Sequence, residues 1–334
     1  MSELLFTQEY SVSRPLVSAG MAMVTGPDLV AAVSNAGGLG ILGTGPMPTE
    51  LLRRIIASTR LLTPKPFGVN LIVEETTLGP ASTFEHVQVC IEAGISPMVF
   101  FWNPPPATWF TALHDAGIKI WLTVSSVAEA RQALAGGYDA IVVQGNEAGG
   151  HVRATESGFS LWPAVRDAVG DMMMIAAGGI ADGRTAAAAF ALGADAICMG
   201  TRLVASGESL AHPAYKSAIL RAQPADTSVT RLFGPEWPDA PMRVIRNQAL
   251  RDAEDGIRES GPVGQTRLFG LDYVMPRNSA ILPTLETSGS LEHMCMAAGT
   301  SVGRIGNIEP AGALIARIAS DADRILGECG KRMR

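Results

Sequence analysis

The chain has little cysteine, little charge and no excess of positive charge, and each shortage excludes a class of protein. Its four cysteines are far apart and form no CxxC pair. That spacing excludes a disulfide framework and a zinc site, and it is typical of a reducing compartment. Lysine and arginine together number 26 against 32 aspartates and glutamates, so the net charge is −6. A nucleic-acid-binding surface, which needs clustered basic residues, is therefore not expected.

Long apolar runs are also lacking. No uncharged stretch approaches the roughly 20 residues that a membrane-spanning helix needs. The first residues, MSELLFTQEY, contain neither the basic segment nor the apolar core of a secretory signal. We therefore expect a soluble, cytoplasmic protein with no membrane partner.

Short apolar runs, in contrast, recur through the first two-thirds of the chain. Helix-like segments such as VAEARQALAGG and GRTAAAAFALGA lie between them, and several end in glycine, as the end of a helix does. The eight runs are PLVSAGM (15–21), LGILG (39–43), FGVNLIV (67–73), PMVFFW (97–102), IKIWLTV (118–124), DAIVVQG (139–145), MMMIAAGG (172–179) and DAICMG (195–200).

This alternation predicts an α/β fold with a parallel sheet. The runs are apolar on both faces, as strands covered by helices are. Eight units match a (β/α)8 TIM barrel, and an open doubly wound sheet is the alternative. We predict the barrel over 1–226, a smaller helical cap over 227–307 with helices near 241–256 and 285–298, and a C-terminal helix over 308–334 that packs back on the barrel.

A glycine pair, Gly178-Gly179, follows the seventh predicted strand, and a Gly-Thr pair, Gly200-Thr201, follows the eighth. Without Cβ atoms, backbone N–H groups can converge on a phosphate, and the start of the next helix adds a favourable dipole. Asp182 is the candidate cap of that helix. The alternative is that these glycines only form tight turns, but their occurrence at both strands favours a phosphate site.

Two side-chain amides and a histidine stand at other strand ends. Asn70 and Gln144 each offer a donor and an acceptor, which suits the mixed edge of a heteroaromatic ring, although either amide can also satisfy the neighbouring backbone. His151 follows Gly149-Gly150 in QGNEAGGH, where a ligand can approach closely, and a neutral histidine can accept a proton. Glu147 is expected to brace this loop, and Arg202 to neutralise the phosphate or to form a structural ion pair.

Taken together, these motifs resemble the nitronate monooxygenase family, once called 2-nitropropane dioxygenases, which are FMN-dependent β/α-barrel enzymes. The resemblance covers essentially the whole chain, and QGNEAGGH is its most specific motif. The matching segments are SAGM (18–21), NAGGLGILG (35–43), FGVNL (67–71), QGNEAGGH (144–151), AAGGIADGR (176–184), MGTR (199–202) and SVGRIGNIEPAG (301–312).

The resemblance implies a cofactor, a set of contacts and a reaction. His151 is implied as the base beside the flavin, acting on an alkyl nitronate or nitroalkane that O2 helps convert to a carbonyl compound and nitrite. A homodimer is one implied state. The implied FMN contacts are Met21, Asn70, Gln144, Gly149, Gly178, Gly179, Cys198, Met199, Gly200 and Thr201.

Two departures and two alternatives stand beside this expectation. Val152-Arg153 follow the histidine where many relatives have Arg-Gly, and the C-terminal region contains only Tyr273 of the family's tyrosine and lysine pocket residues. The same EAGGH motif occurs in FMN-dependent enoyl-acyl-carrier-protein reductases, so an NAD(P)H-dependent reductase of that or the quinone type is the first alternative. A non-catalytic FMN-binding protein is the second. Trp102, Trp237 and Met21 are candidate walls of the substrate pocket.

Overall fold

The computed structural model describes residues 2–257 and 260–332. Its strands are short and follow one another at the spacing that the apolar runs predict. They are β1 (Leu16–Ser18), β2 (Gly40–Gly43), β3 (Phe67–Ile72), β4 (Glu75–Thr76), β5 (Gly79–Pro80), β6 (Met98–Phe101), β7 (Ile120–Val124), β8 (Ala140–Gln144), β9 (Gly150–His151), β10 (Met173–Ala177), β11 (Ala196–Met199), β12 (Thr227–Thr230), β13 (Met242–Ile245), β14 (Pro262–Leu268), β15 (Leu271–Pro276) and β16 (Ser288–Gly289).

Eight of these strands form one parallel sheet in the order β1-β11-β10-β8-β7-β6-β3-β2. The sheet closes between its two end strands, because Val17 and Leu39 form a parallel bridge and Ser18 N–H donates to the Leu39 carbonyl at 3.0 Å. Each of the eight predicted runs contains one of these strands. The predicted (β/α)8 barrel is therefore confirmed.

Helices connect the barrel strands, and glycines end several of them. Gly94, Gly117 and Gly137 follow the helices Phe84–Glu92, Ala107–Asp115 and Val127–Ala135, with φ values of 59°, 67° and 76°, a backbone region that favours glycine. The helices are α1 (Ser2–Glu9), α2 (Pro27–Asn35), α3 (Thr49–Leu62), α4 (Phe84–Glu92), α5 (Ala107–Asp115), α6 (Val127–Ala135), α7 (Gly158–Val169), α8 (Gly183–Ala191), α9 (Thr201–Val204), α10 (Pro213–Arg221), α11 (Gln248–Glu254) and α12 (Ala311–Arg332).

Two separate cores stabilise the barrel. The larger one lies between the sheet and its helices, and the smaller one fills the barrel interior. At the amino ends of the strands, Phe6 and Tyr10 pack against the interior Trp121, whose Nε1–H donates to the Tyr10 hydroxyl at 2.6 Å. The chain before β1 therefore closes the bottom of the barrel, and the open end lies at the carboxyl ends of the strands.

The segment 227–307 contains more strand than the sequence predicts. Near 241–256 the chain forms β13 and then the short α11, and near 285–298 it forms β16 and a single 3-10 turn, Leu291–His293, in place of a helix. Strands β12 and β13 continue into β9 as one antiparallel sheet, and β14 and β15 form a hairpin that β16 extends. The two predicted helix positions were therefore wrong in large part, because short apolar segments do not distinguish strand from helix by period alone.

The C-terminal helix α12 packs on the outside of the barrel. Its buried residues, Leu314, Ile315 and Ile318 among them, belong to the core between the sheet and the helices. It packs closely on α8, since a Cβ added at Gly183 would lie 2.3 Å from the Cβ of Asp321. Among the residues that the structure describes, no helix is both long enough and apolar enough to cross a membrane.

Candidate active site

A cavity of about 280 Å³ opens at the carboxyl ends of the barrel strands and is covered by residues of the segment 227–307. Since parallel strands bring their carboxyl ends together, the predicted strand-end residues meet here. The predicted residues in its wall are Met21, Asn70, Gln144, Gly149, His151, Gly178, Gly179, Cys198, Gly200, Thr201 and Trp237.

The two turns after β10 and β11 have the form of an anion cradle. Gly178 and Gly179 have φ values of 100° and 74°, which only glycine adopts without strain. In the described part of the chain, the backbone N–H groups of Gly179, Gly200 and Thr201, which lie beyond the last pairs of β10 and β11 in the sheet, have no acceptor. Unpaired N–H groups in the wall of a cavity fit a phosphate.

The helix after the first turn begins as predicted. Asp182 caps α8, its carboxylate accepting from Thr185 N–H at 2.9 Å, while the Thr185 hydroxyl lies 3.1 Å from Asp182 N–H. The second turn is fixed from the opposite side, since Gly299 N–H donates to Thr201 Oγ1 at 2.9 Å. The chain near Gly299 therefore covers the cradle.

Gly149 is required by a close approach of two backbone segments. A Cβ at this position would lie 2.4 Å from Gly299 N and 2.5 Å from the Ala298 carbonyl carbon. Thr300 N–H also donates to the Glu147 carbonyl at 3.0 Å. The glycine-rich loop thus docks directly on the segment 298–300.

The two amides differ in their partners. Asn70 is buried, and its side-chain amide has no hydrogen bond to any described residue, although its backbone carbonyl accepts from Thr44 Oγ1. Gln144 Nε2 donates to the His151 carbonyl at 3.3 Å. Both amides lie in the cavity wall, and Asn70 has both its donor and its acceptor free for a ligand.

His151 lies between the barrel and the segment that covers it. Its strand β9 pairs with β13, with His151 opposite Met242. The imidazole lies 4.1 Å from the Trp237 ring and 5.9 Å from the Trp102 ring, measured between centroids. Its Nε2 is buried without a hydrogen-bond partner in the described structure. Burial lowers the pKa of His151 to about 4, so the ring is neutral at pH 7.

Trp102 supports this arrangement from the end of β6. Its φ of 82° is rare for a bulky side chain, a strain of the kind found near functional sites. The Arg153 guanidinium lies 5.2 Å from the Trp102 ring centroid and also pairs with Glu129 at 3.2 Å. Arg153, which departs from the family pattern, thus packs on Trp102, an aromatic neighbour of His151.

Glu147 braces its own loop, as the sequence predicted. Its carboxylate accepts from Ser157 Oγ and from Gly158 N–H at 2.9 Å, at the start of α7. Both donors belong to the next connection of the barrel, so the bracing links the loop after β8 to α7. Glu147 does not contact His151 through any of these bonds.

Three residues named from the sequence, Met199, Arg202 and Trp102, are not part of the cavity wall. The Met199 side chain, placed in the cofactor set by resemblance, packs in the core between sheet and helices. Arg202 donates to the Asn307 carbonyl at 2.9 Å and lies 3.8 Å from Glu309, so the structural alternative holds. Trp102, predicted as a wall, instead packs behind the cavity against His151 and Trp237, with ring centroids 5.9 Å and 4.8 Å away.

Sequence reasoning missed several wall residues from the segment 227–307 and its surroundings. Their chemistry is mostly apolar, and no local motif marks them, with the exception of the pair Glu236-Trp237 in the proline-flanked stretch GPEWP. The missed wall residues include Tyr215, Glu236, Met242, Phe269, Ile281, Gly299 and Ser301.

The sequence of this chain matches a protein-family model and several known relatives. The family model described as "Nitronate monooxygenase" matches residues 5–321. A Mycobacterium tuberculosis protein, (3aS,4S,5R,7aS)-5-hydroxy-7a-methyl-1-oxo-octahydro-1H-indene-4-carboxyl-CoA dehydrogenase, is 35% identical over 267 residues, or 79% of this chain and 72% of that protein.

Two solved structures are similar over nearly the whole chain. A single-residue mutant of FabK from Thermotoga maritima has a TM-score of 0.81 and 35% identity, covering 98% of this chain and 99% of that one. Nitroalkane oxidase from Streptomyces ansochromogenes has a TM-score of 0.78 and 27% identity, covering 97% and 98%.

Proposed function

The chain belongs to the nitronate monooxygenase family, and from that premise we propose that it oxidises alkyl nitronates, or the nitroalkanes that give rise to them, with FMN and O2. Members of this family are flavin-dependent oxidoreductases, so the chain is an enzyme of that class. The products of the proposed reaction are a carbonyl compound and nitrite. The observation that carries the proposal is a neutral, unpartnered histidine in the same cavity as a glycine cradle and two amides.

The residues of the cavity fit FMN. Unpaired N–H groups at Gly179, Gly200 and Thr201 would hold the phosphate, with Gly178 leaving space for it, and the free amide of Asn70 would bind the edge of the flavin ring. Gln144, Met21 and Cys198 would complete the contacts. Bound FMN supplies the electron acceptance and the reaction with O2 that no side chain of the cavity provides.

His151 has the role of general base in this proposal. Its unpartnered Nε2 accepts the carbon-bound proton of a nitroalkane, and the imidazolium so formed lies beside the new anion and stabilises it. Trp102 and Trp237 fix the ring and keep water from it. A preformed nitronate needs no base, so loss of His151 should affect the nitroalkane more than the nitronate.

Oxygen consumption by the FMN-loaded protein, given an alkyl nitronate and no pyridine nucleotide, tests the proposal. We expect O2 uptake with release of nitrite. With the parent nitroalkane, uptake should fall by about 10²-fold or more in His151→Ala, whereas His114→Ala, at an exposed position, should behave as the wild type. An FMN-loaded protein that consumes no O2 with any nitronate would refute the proposal.

An NAD(P)H-dependent reductase is the second candidate, and one observation favours it. FabK is an enoyl-acyl-carrier-protein reductase. Its structure has the higher TM-score of the two solved structures and covers this chain almost completely. In the same cuvette, under anaerobic conditions, bleaching of the flavin by NADH or NADPH, together with no response to nitronates, would assign the chain to this branch. His151 and the glycine cradle would then belong to a site in which NADH or NADPH, and not a nitronate, reduces the flavin.

A further inference from the structure

The cavity wall contains two carboxylates but, among the residues described, no lysine or arginine. The carboxylates belong to Glu147 and Glu236, and they differ in what surrounds them. A fixed negative charge in a cavity acts strongly on any charged ligand, because few water molecules remain to screen it. The surroundings of each carboxylate therefore decide which ligands the cavity accepts.

The charge of Glu147 is compensated. Its oxygens accept from Ser157 and from Gly158 N–H at the first turn of α7, where the helix dipole is positive. The Arg243 guanidinium is also close: burial lowers the pKa of Arg243, and the Glu147 charge opposes that shift. Glu147 thus adds little net field to the cavity.

The charge of Glu236 has no such compensation. Its side chain is 5% exposed and accepts from the Tyr273 hydroxyl at 2.7 Å, from Ser279 Oγ at 2.6 Å and from Ala280 N–H at 2.7 Å. No cation of the described chain lies within ion-pair distance of it. Three donors on two oxygens hold the carboxylate in one orientation.

The position of this carboxylate is fixed by the fold. Its donors come from β15 and from the segment 279–280, and its backbone carbonyl accepts from Thr77 N–H at 3.0 Å, in the turn between β4 and β5. Burial first, and then the adjacent Glu236, raise the pKa of Tyr273, so the phenol stays a donor. The next residue, Trp237, contacts His151, which places the charge near the reacting end of the cavity.

We propose that Glu236 is a specificity-determining residue whose uncompensated charge makes the cavity prefer uncharged ligands to anions of the same shape. The proposal relies on the proposed function only for the identity of the reacting group. In an effective dielectric of about 20, an anionic ligand about 10 Å from the Glu236 carboxylate is repelled by it. The anion should therefore bind about tenfold more weakly than a neutral ligand of the same shape. Apolar wall residues such as Phe269, Ile281 and Met23 add to the preference for uncharged chains.

For the proposed reaction, the charge of Glu236 favours entry of the neutral nitroalkane over entry of the anionic nitronate. A neutral nitroalkane adds no charge to the cavity. When its C–H bond breaks, the electron pair moves onto the nitro group and the proton onto His151 Nε2, so that the nitronate and the imidazolium sum to zero. A nitronate from solution brings a second negative charge beside Glu236 with no cation to meet it.

Binding of hexanamide and of hexanoate to the FMN-loaded protein, measured by isothermal titration calorimetry, tests the proposal without any turnover. We expect hexanamide to bind about tenfold more tightly than hexanoate in the wild type. In Glu236→Gln the two affinities should become nearly equal, through tighter binding of hexanoate. Glu286→Gln removes an exposed carboxylate from the same segment and should retain the wild-type ratio.

Equal affinities in the wild type, or an unchanged ratio in Glu236→Gln, would overturn the proposal. If Glu236→Gln does not fold, hexylammonium decides: it should bind the wild type at least as tightly as hexanamide, and weaker binding would contradict the assigned charge. A wild-type preference for hexanamide in a protein that oxidises no nitro compound would refute the proposed function and leave the role of Glu236 intact.

Discussion

The imidazole of His151 is buried away from water, and a protonated imidazole is stabilised by hydration, so burial disfavours protonation. Its pKa is lowered to about 4, from about 6.5 in an unfolded chain. Between these two values the unfolded chain binds more protons than the folded protein, so stability rises with pH there and falls on acidification. Above pH 6.5 the ring is neutral in both states, and the effect vanishes.

This sign leads to a prediction for His151→Gln, which removes the titrating group. Between pH 7 and pH 5 the wild type should lose about 2 kcal/mol of unfolding free energy more than the variant loses. Urea denaturation at both pH values, with a fixed concentration of FMN, measures the difference. Parallel losses in the two proteins would show that the ring is not held neutral by the fold.

At the scale of the element, the turn after β11 allows a sharper test of the phosphate site than the turn after β10. A Cβ at Gly200 would meet only Met21 Sδ at 3.6 Å and Ala19 Cβ at 3.7 Å, which are ordinary contacts, and its φ is −104°. Gly179, in contrast, has a positive φ, so any side chain there strains the backbone of the protein itself.

We therefore predict that Gly200→Ala folds with nearly unchanged stability without FMN but binds FMN at least about tenfold more weakly, since its Cβ blocks the approach of a phosphate to the N–H groups. Titration of the FMN-free protein by fluorescence quenching measures this affinity. Gly207→Ala, where a Cβ meets nothing within 4 Å, is the matched control and should bind FMN normally. Full FMN affinity in Gly200→Ala would place the phosphate elsewhere.

Elements also show what the sequence could and could not predict. The barrel strands were predictable because each is a buried apolar run between helices that end in glycine, as β8 and β10 are. Strand β13 was not, because the four residues MRVI pair on one side with β9, which lies far earlier in the chain, and a pairing of that kind leaves no local pattern. Glu236 was missed for the same reason: its donors lie 37 to 44 residues further along.

At the scale of the whole molecule, α12 attaches the end of the described chain to the outside of the barrel. The helix packs on α8, and the contact depends on the absence of a side chain at Gly183, the first residue of α8. Gly183 also directly follows Asp182, which caps the helix next to the Gly178-Gly179 turn. A displacement of α12 would therefore reach the candidate cofactor site through α8.

We predict that Gly183→Ala lowers the free energy of unfolding by about 1–3 kcal/mol, because the new Cβ would lie 2.3 Å from Asp321 Cβ and 3.0 Å from Ala322 N, so that α12 must shift. Thermal unfolding measures the loss, and FMN affinity measured on the same sample should fall with it. Gly327→Ala, at an exposed position of α12 with open space around it, should instead be neutral or stabilise by up to about 1 kcal/mol through helix propensity. A Gly183→Ala protein as stable as the wild type would mean that α12 is held elsewhere along its length, by Leu314, Ile315 and Ile318, and that its contact with the start of α8 is free to adjust.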